Sequence, residues 1–260
     1  MFLALPVSQA EAQFVCGAET TASGAGATAT GSVNFACGTA ADASGTSSQN
    51  TATGVLTNAS GNNSSNSAYG NSSNASGAGT FNSAFGQSAD ASGPTGSANT
   101  AVGQGSNAST GTGSAGLASQ NVAIGASTDA SGQGSENFAG GFTANASGNL
   151  AHNLAIGGDG DASGVGADAS GLQGNNTAIG VDANASGDGS SNVAIGNGAT
   201  ASGAGTSNTA IGHSAQATGD STAIGASAQA FGGSSATVPG RAPMRATRTT
   251  RRSALPPAKT

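Results

Sequence analysis

One short motif recurs thirteen times along this chain, most often at intervals of sixteen residues. It reads Asn-x-Ala-x-Gly, followed after four residues by Ala-Ser-Gly, and its most regular copies begin at Asn176, Asn192 and Asn208. A period this short indicates a repeat protein in which each small unit packs mainly against its two neighbours. The first place of the successive copies is occupied by Gln13, Asn34, Asn50, Asn66, Asn82, Asn99, Asn121, Asn137, Asn153, Asn176, Asn192, Asn208 and Ser221.

Composition excludes a conventional globular core. The hydrophobic content of 35% is mostly alanine, with no Trp and one Tyr, and the 45 glycines follow no Gly-X-Y period of the collagen type. Sixteen residues are too few for two helices with turns, and frequent glycine opposes helix formation. Two short strands and two turns fit, and stacking such units about 4.8 Å apart gives a parallel β-solenoid. We therefore predict an all-β fold of about 13 rungs of ~16 residues.

Each place in the repeat then has a structural role. Glycine at the fifth place permits unusual backbone angles or close approach at a corner, and the alanine at the third place suits a narrow interior. The asparagine column is predicted to bond amide to amide between rungs and to cap the turns. Extra residues are predicted to fall at one corner, between the Ser-Gly of one copy and the Asn of the next. The segment Gly166–Gly171 is interpreted as a duplicated half-rung.

The fourth place carries the bulky side chain of each unit. In a strand this place points away from the alanine beside it, so one side is small and the other is an apolar stripe. An exposed stripe is an association surface, and we predict a three-fold bundle with the stripe on its axis. The alternative is a monomer whose isoleucines fill the solenoid. The predicted interface residues are Ile124, Ile156, Ile179, Ile195, Ile211 and Ile224.

Charge and the chain ends divide the sequence into three parts. All six basic residues lie in the last twenty positions, and all twelve acidic residues precede them. An acidic surface does not bind nucleic acid by neutralising phosphates. Residues 1–12, which end in Ala-Glu-Ala, are interpreted as a residual secretory signal or a short disordered start. Residues 13–232 form the repeats, and residues 233–260 are predicted to be a disordered Pro/Arg-rich tail. No stretch approaches the ~20 apolar residues of a membrane-spanning helix.

Motifs of catalysis and metal binding are weak in this chain, and we expect no enzyme activity, cofactor or metal. His152 and His213 lie at variable places, and the G-x-G-x-x-G match at 111–116 is expected by chance among so many glycines. Gly157–Asp161 is similar to one calcium-binding repeat, but its acidic pattern does not recur.

Cysteines and glycosylation triplets occupy fixed places in the repeat. Cys16 and Cys37 share the fourth place of the first two units, where they either form a disulfide or act as two small buried apolar residues. Asn-Ala-Ser triplets arise from the repeat itself and matter only in a eukaryotic secretory pathway. They begin at Asn58, Asn74, Asn107, Asn145 and Asn184.

The copies at 191–201, 207–217 and 221–230 carry a resemblance to a known family. Their run Asn-Val/Thr-Ala-Ile-Gly, with alanines following, resembles the head domain of YadA-like trimeric autotransporter adhesins, over about residues 13–232. The resemblance implies a left-handed parallel β-roll, a homotrimer, and a coiled-coil stalk with an outer-membrane anchor. No neck, stalk or anchor pattern is evident after Ala230.

The function expected from this resemblance is that of an extracellular, non-catalytic adhesin head on a bacterial surface. Its partners would be copies of itself and a host matrix or cell-surface molecule, with no nucleic acid and no direct membrane span in this chain. Two alternatives are a structural fibre of the phage tail-fibre kind and an ice-binding solenoid, although the place after Asn is too mixed for a threonine array. The segments Gly24–Asn34, Gly111–Asn121 and Gly164–Asn176 are predicted to carry binding specificity.

Overall fold

The fold is a parallel β-solenoid of about twelve turns, and no helix occurs among the residues that the structure describes. The structure is a computed structural model that describes residues 14–16, 26–31, 33–110, 117–159, 166–232 and 237–239. The first strand of every rung joins one parallel sheet of fourteen strands, and two further strands pair near the C-terminal end. The predicted all-β solenoid is therefore confirmed.

The strands are three residues each and follow the predicted repeat. They are β1 (Phe14–Cys16), β2 (Phe35–Cys37), β3 (Thr51–Thr53), β4 (Ser67–Tyr69), β5 (Ser83–Phe85), β6 (Thr100–Val102), β7 (Val122–Ile124), β8 (Phe138–Gly140), β9 (Leu154–Ile156), β10 (Thr177–Ile179), β11 (Val193–Ile195), β12 (Thr209–Ile211), β13 (Gln216–Thr218), β14 (Thr222–Ile224), β15 (Gln229–Phe231) and β16 (Thr237–Pro239).

Register is identical from rung to rung, so like residues lie above like residues. Ala178 pairs with Ala194, and Ile179 pairs with Ile195. The second segment of each unit, predicted as a strand, makes single parallel bridges over most of the length, such as Asp168 with Asn184. Among the described residues, β13 and β15 are the strands that pair in this segment.

Alanine forms the core. In a typical rung the side chains of Ala178, Ala183 and Ala185 are fully buried, and their equivalents repeat along the solenoid. Strand alternation sends the fourth-place residue outward. The alternative in which the isoleucines fill the solenoid is therefore not what the structure shows.

Glycine is required where corners stack. Gly196 has φ of +131°, and a Cβ built on it would lie 2.6 Å from the carbonyl oxygen of Gly212 in the next rung. At the other corner, Gly187 has φ of +158°, and its Cβ would lie 2.3 Å from the oxygen of Gly203. An L side chain has neither the backbone angle nor the space at these places.

Buried asparagines form a ladder from side chain to backbone. The Asn176 amide nitrogen donates to the carbonyl oxygens of Ser170 at 3.3 Å and Gly187 at 2.9 Å. Its Oδ1 accepts from the backbone N–H of Asn192 at 3.1 Å. The predicted capping of the turn backbone is therefore confirmed. The predicted amide-to-amide bonding is wrong for most of the ladder, because the side chains satisfy backbone groups instead. Among the described residues the amide-to-amide bond of the ladder is Asn208 Nδ2 to Asn192 Oδ1, at 3.2 Å.

Insertions fall at both corners, so the prediction of a single corner is wrong. Residues 166–171 are the regular second segment of their rung rather than a duplicated half, because Asp168 bridges Asn145 and Asn184 in register. The additional residues of that rung therefore follow Gly157, at the first corner. The insertion at 111–116 follows the second segment as predicted, and it lies outside the described residues. Both corners are surface turns, which tolerate added length.

The sheet continues beyond the predicted end of the repeats. β16 (Thr237–Pro239) pairs in parallel with β14, within the segment predicted to be a disordered tail. Residues 1–12 and 240–260, which were interpreted as a signal and the rest of the tail, lie outside the described residues.

Candidate functional site: the outward apolar stripe

From β4 to β14 of the fourteen-stranded sheet, the fourth place of every rung except that of β8 carries a large apolar side chain on the outer face. Most of them are 36–46% exposed, and Ile179 is half-buried. In-register pairing places each directly above the next, as for Ile195 and Ile211. We call this column the apolar stripe; its members are Tyr69, Phe85, Val102, Ile124, Ile156, Ile179, Ile195, Ile211 and Ile224.

Aromatic rings keep the stripe continuous. The Tyr69 and Phe85 rings stack with centroids 5.1 Å apart and planes 5° from parallel. Gly140 lacks a side chain in the eighth rung, but a Cβ built there would lie 3.1 Å from the ring of Phe138. Phe138 occupies the second place of the same repeat unit, and its ring therefore covers the gap between Ile124 and Ile156.

The whole sheet face that carries the stripe is uncharged. The second place of the repeat, which is the first residue of the strand, also points outward; in β2 to β12 and in β14 it is half-buried and holds Thr, Ser, Val, Leu or Phe. All six predicted interface residues lie in this face, brought into one column by the register. This face could bury its apolar surface against a partner.

The opposite face carries a polar column that the sequence reading treated only as glycosylation triplets. Its members point outward from the second segment, between the buried alanines, and asparagine alternates with aspartate over seven successive rungs. The signal was available, since all of these residues except Asp168 stand at the ninth place of their unit, and Asp168 follows the added residues of its rung. We call it the Asx column; it comprises Asp42, Asn58, Asn74, Asp90, Asn107, Asp129, Asn145, Asp168 and Asn184.

Cys37 is disulfide-bonded. The backbone register places Cys16 directly opposite it, on β1 and β2. The side chain of Cys16 lies outside the described ones, so the pairing of these two cysteines stays a prediction.

Other groups weighed from sequence do not converge. His152 and His213 are exposed and lie on different rungs. Within the described ranges, no group of three or more His, Cys, Asp or Glu side chains could hold a metal ion. A shallow groove of about 420 Å³ runs along the second corner, lined by Thr30, Ser44 and other hydroxyl, glycine and amide groups with no titratable side chain.

The chain matches no protein-family model, and no curated protein matches its sequence. None of the described residues belongs to a helix that could cross a membrane. The case for a function therefore rests on the residues and the geometry of the two outer faces.

Proposed function

We propose that this protein is the non-catalytic head of an extracellular adhesin, and that it works as a homotrimer joined through the apolar stripe. The observation that carries the proposal is the stripe itself. The alanine core of each rung is complete without it, and yet every rung from Tyr69 to Ile224 presents an apolar group outward.

The energy available from the stripe is large enough to drive association. Nine side chains at about 40% exposure present on the order of 600 Å² of apolar surface per chain, at the upper end of what a monomer usually exposes. At ~25 cal/mol per Å², hiding that surface contributes about 15 kcal/mol per chain. The loss of rotational and translational freedom on association costs roughly 4–15 kcal/mol. Burial of the stripe is therefore of the size needed to offset this cost, and no charged group on the sheet face opposes it.

A closed cyclic trimer leaves the rest of the surface free for display. Both corners and the Asx column would face outward, with all insertions among them, while the stripes meet on the axis. Many weak contacts from three parallel chains to a matrix or cell-surface molecule would add through avidity. Residues 1–240 hold no Lys or Arg, and this net negative charge keeps such a rod soluble. The proposed location is the outside of a bacterial cell.

The first test is the mass of the full chain in solution by sedimentation. We expect three times the chain mass for the wild type, and a folded monomer for the double variant Ile195→Asp, Ile211→Asp. Thr200→Asp is the matched control, because it adds a carboxylate on the Asx face, between the uncharged Asn184 and Gln216 of the neighbouring rungs. It should stay trimeric. A wild-type chain that is folded and monomeric would overturn the trimer.

The second test separates adhesion from a purely structural role. Beads coated with the trimer should adhere to matrix-coated surfaces and cultured cells, and beads coated with the monomeric variant should adhere at least tenfold less. A stable trimer that binds no surface would instead support a structural fibre, which the same fold would serve.

A further inference from the structure

The Asx column carries carboxylates at a regular spacing along the solenoid. From Asp90 through Asp129 to Asp168, aspartate occupies every second rung, with an asparagine between. Rungs stack about 4.8 Å apart, so successive carboxylates are separated by roughly 9.6 Å. Residues 1–240 contain no Lys or Arg, so no lysine or arginine of the repeats can neutralise this row of charges.

The fold uses one oxygen of each of these carboxylates and leaves the other to solvent. Oδ1 of Asp129 accepts from the backbone N–H of Ser131 at 2.8 Å and from the amide nitrogen of Asn107 at 3.3 Å. Oδ1 of Asp168 accepts from the backbone N–H of Ser170 at 2.9 Å. Among the described residues, Oδ2 of neither aspartate has a hydrogen-bond partner, and both side chains are half-exposed.

The cations of this chain follow directly after the last strand and have a period of their own. All six basic residues lie at positions 241–259, which we call the basic segment, and Arg245, Arg248 and Arg251 are three residues apart. An extended chain of the polyproline type completes a turn in three residues and advances about 9.3 Å. These three side chains would then lie on one side of the segment, and their spacing agrees with that of the carboxylates to within about half an ångström.

The reach of the segment selects which arginine meets which aspartate. Asp168 follows β9, which lies five rungs before β16 in the sheet. Five rungs and the thickness of the solenoid place it roughly 26 Å from Pro239. Arg245, six residues beyond Pro239, reaches only about 20 Å, whereas Arg248 reaches about 30 Å. Arg248 is therefore the first of the three that can contact Asp168, and Arg251 then stands opposite Asp129.

We propose that the Asx column is the docking surface for the basic segment of the same chain, with Arg248 bound to Asp168 and Arg251 bound to Asp129. The guanidinium group presents several N–H donors in a fork that suits a carboxylate. One exposed ion pair contributes little, but the first contact holds the second pair at an effective concentration in the millimolar range. The docked segment covers part of the face that the trimer would display, and the contact itself requires neither the trimer nor adhesion.

Limited digestion of the folded full chain with trypsin tests the contact, because residues 1–240 offer no Lys or Arg for cleavage. The readout is the initial rate at which the fragment 1–248 appears, followed by intact mass. A protease acts on the undocked fraction, so we expect this rate to be about fivefold lower in the wild type than in the double variant Asp129→Asn, Asp168→Asn. That variant should keep its fold, because asparagine caps the same turn in neighbouring rungs, as Asn145 does.

The matched control is the double variant Asp42→Asn, Asp90→Asn, which removes the same charge from two rungs that Arg248 does not reach. It should retain the protection at low salt, and about 1 M salt should make all three chains equally sensitive, because screening then acts within a few ångströms. Carbodiimide coupling identifies the partner. In the variant Arg248→Lys, the introduced amine should couple to Asp168, and adding Asp168→Asn should abolish that product.

Three outcomes would overturn the proposal. One is an equal cleavage rate after Arg248 in the wild type and in the variant Asp129→Asn, Asp168→Asn. Another is an equal loss of protection in the control variant, which would show an effect of net charge rather than of register. The last is protection or coupling that falls on tenfold dilution, which would assign the contact to a second molecule. A chain that fails to trimerise or to adhere leaves all three readouts unchanged, so the two proposals fail separately.

Discussion

Replacing Asn176 by alanine tests how the buried asparagine ladder stabilises the solenoid. The change leaves the backbone N–H of Asn192 without an acceptor in a dry interior, which costs about 1–3 kcal/mol. The two bonds donated to Ser170 and Gly187 are also lost. Both carbonyls keep another donor, the N–H of Gly187 at 2.9 Å and the hydroxyl of Ser190 at 2.6 Å, so each loss costs only about 1 kcal/mol. The expected total is about 3–5 kcal/mol.

The neighbouring residue supplies the control. Asn175 is exposed, and its side chain donates to no ladder group among the described residues, so Asn175→Ala should change stability by less than about 0.5 kcal/mol. Urea unfolding followed by circular dichroism measures both variants, and hydrogen exchange at the Asn192 amide reports the local effect. Equal losses for the two variants would refute the reasoning, because composition rather than the ladder would then set stability.

Three further changes test the corners, the core and the first rungs. Gly196→Ala should lower the free energy of unfolding by about 3 kcal/mol or more, since it combines a positive φ with a backbone clash. Gly189→Ala, which has open space at φ of +58°, should lower it by only about 1 kcal/mol. Equal shifts in the melting temperature of the two variants would contradict the argument that stacked corners need glycine. Ala194→Leu should cost at least 1–3 kcal/mol by overpacking a core with no spare volume, and an unchanged urea midpoint would count against the narrow core. Reducing the disulfide of Cys37 should destabilise the first rungs by about 3 kcal/mol, and non-reducing peptide mapping should recover Cys16 as its partner.

The solenoid could be predicted from sequence because a repeat of about sixteen residues has room for only two short strands and two turns in each unit. A small third-place residue precedes a larger fourth-place residue in most copies, as Ala178 precedes Ile179. In a strand, adjacent side chains point to opposite sides, so only one of the two can point inward. The smallness of alanine favoured an outward stripe, and the structure decided against the alternative in which the isoleucines fill the solenoid. The same reasoning assigned every insertion to one corner and was wrong, because glycines such as Gly180 and Gly187 mark both corners alike.

Two features, one on the outer face and one in the interior, could not be predicted without coordinates. The ring of Phe138 fills the gap at Gly140. These two residues belong to different columns of the repeat, so the sequence does not show that one side chain takes the space of the other. The asparagine ladder was recognised as a column, but its partners are backbone carbonyls and N–H groups, which a sequence does not distinguish. Residue identity therefore predicts which places of the repeat are buried, but not which atoms form hydrogen bonds with the polar groups buried there.

The direction of the hydrogen bonds has a mechanical consequence. Nearly every inter-rung bond, such as that from the Val193 N–H to the Asn208 carbonyl oxygen, points along the solenoid axis. A pull along that axis therefore loads one rung's bonds at a time, and rungs would peel off in sequence rather than shear together. Each released rung of sixteen residues would lengthen the chain by roughly 50 Å. A rod built this way would yield under load in many small steps while its remaining rungs stay folded.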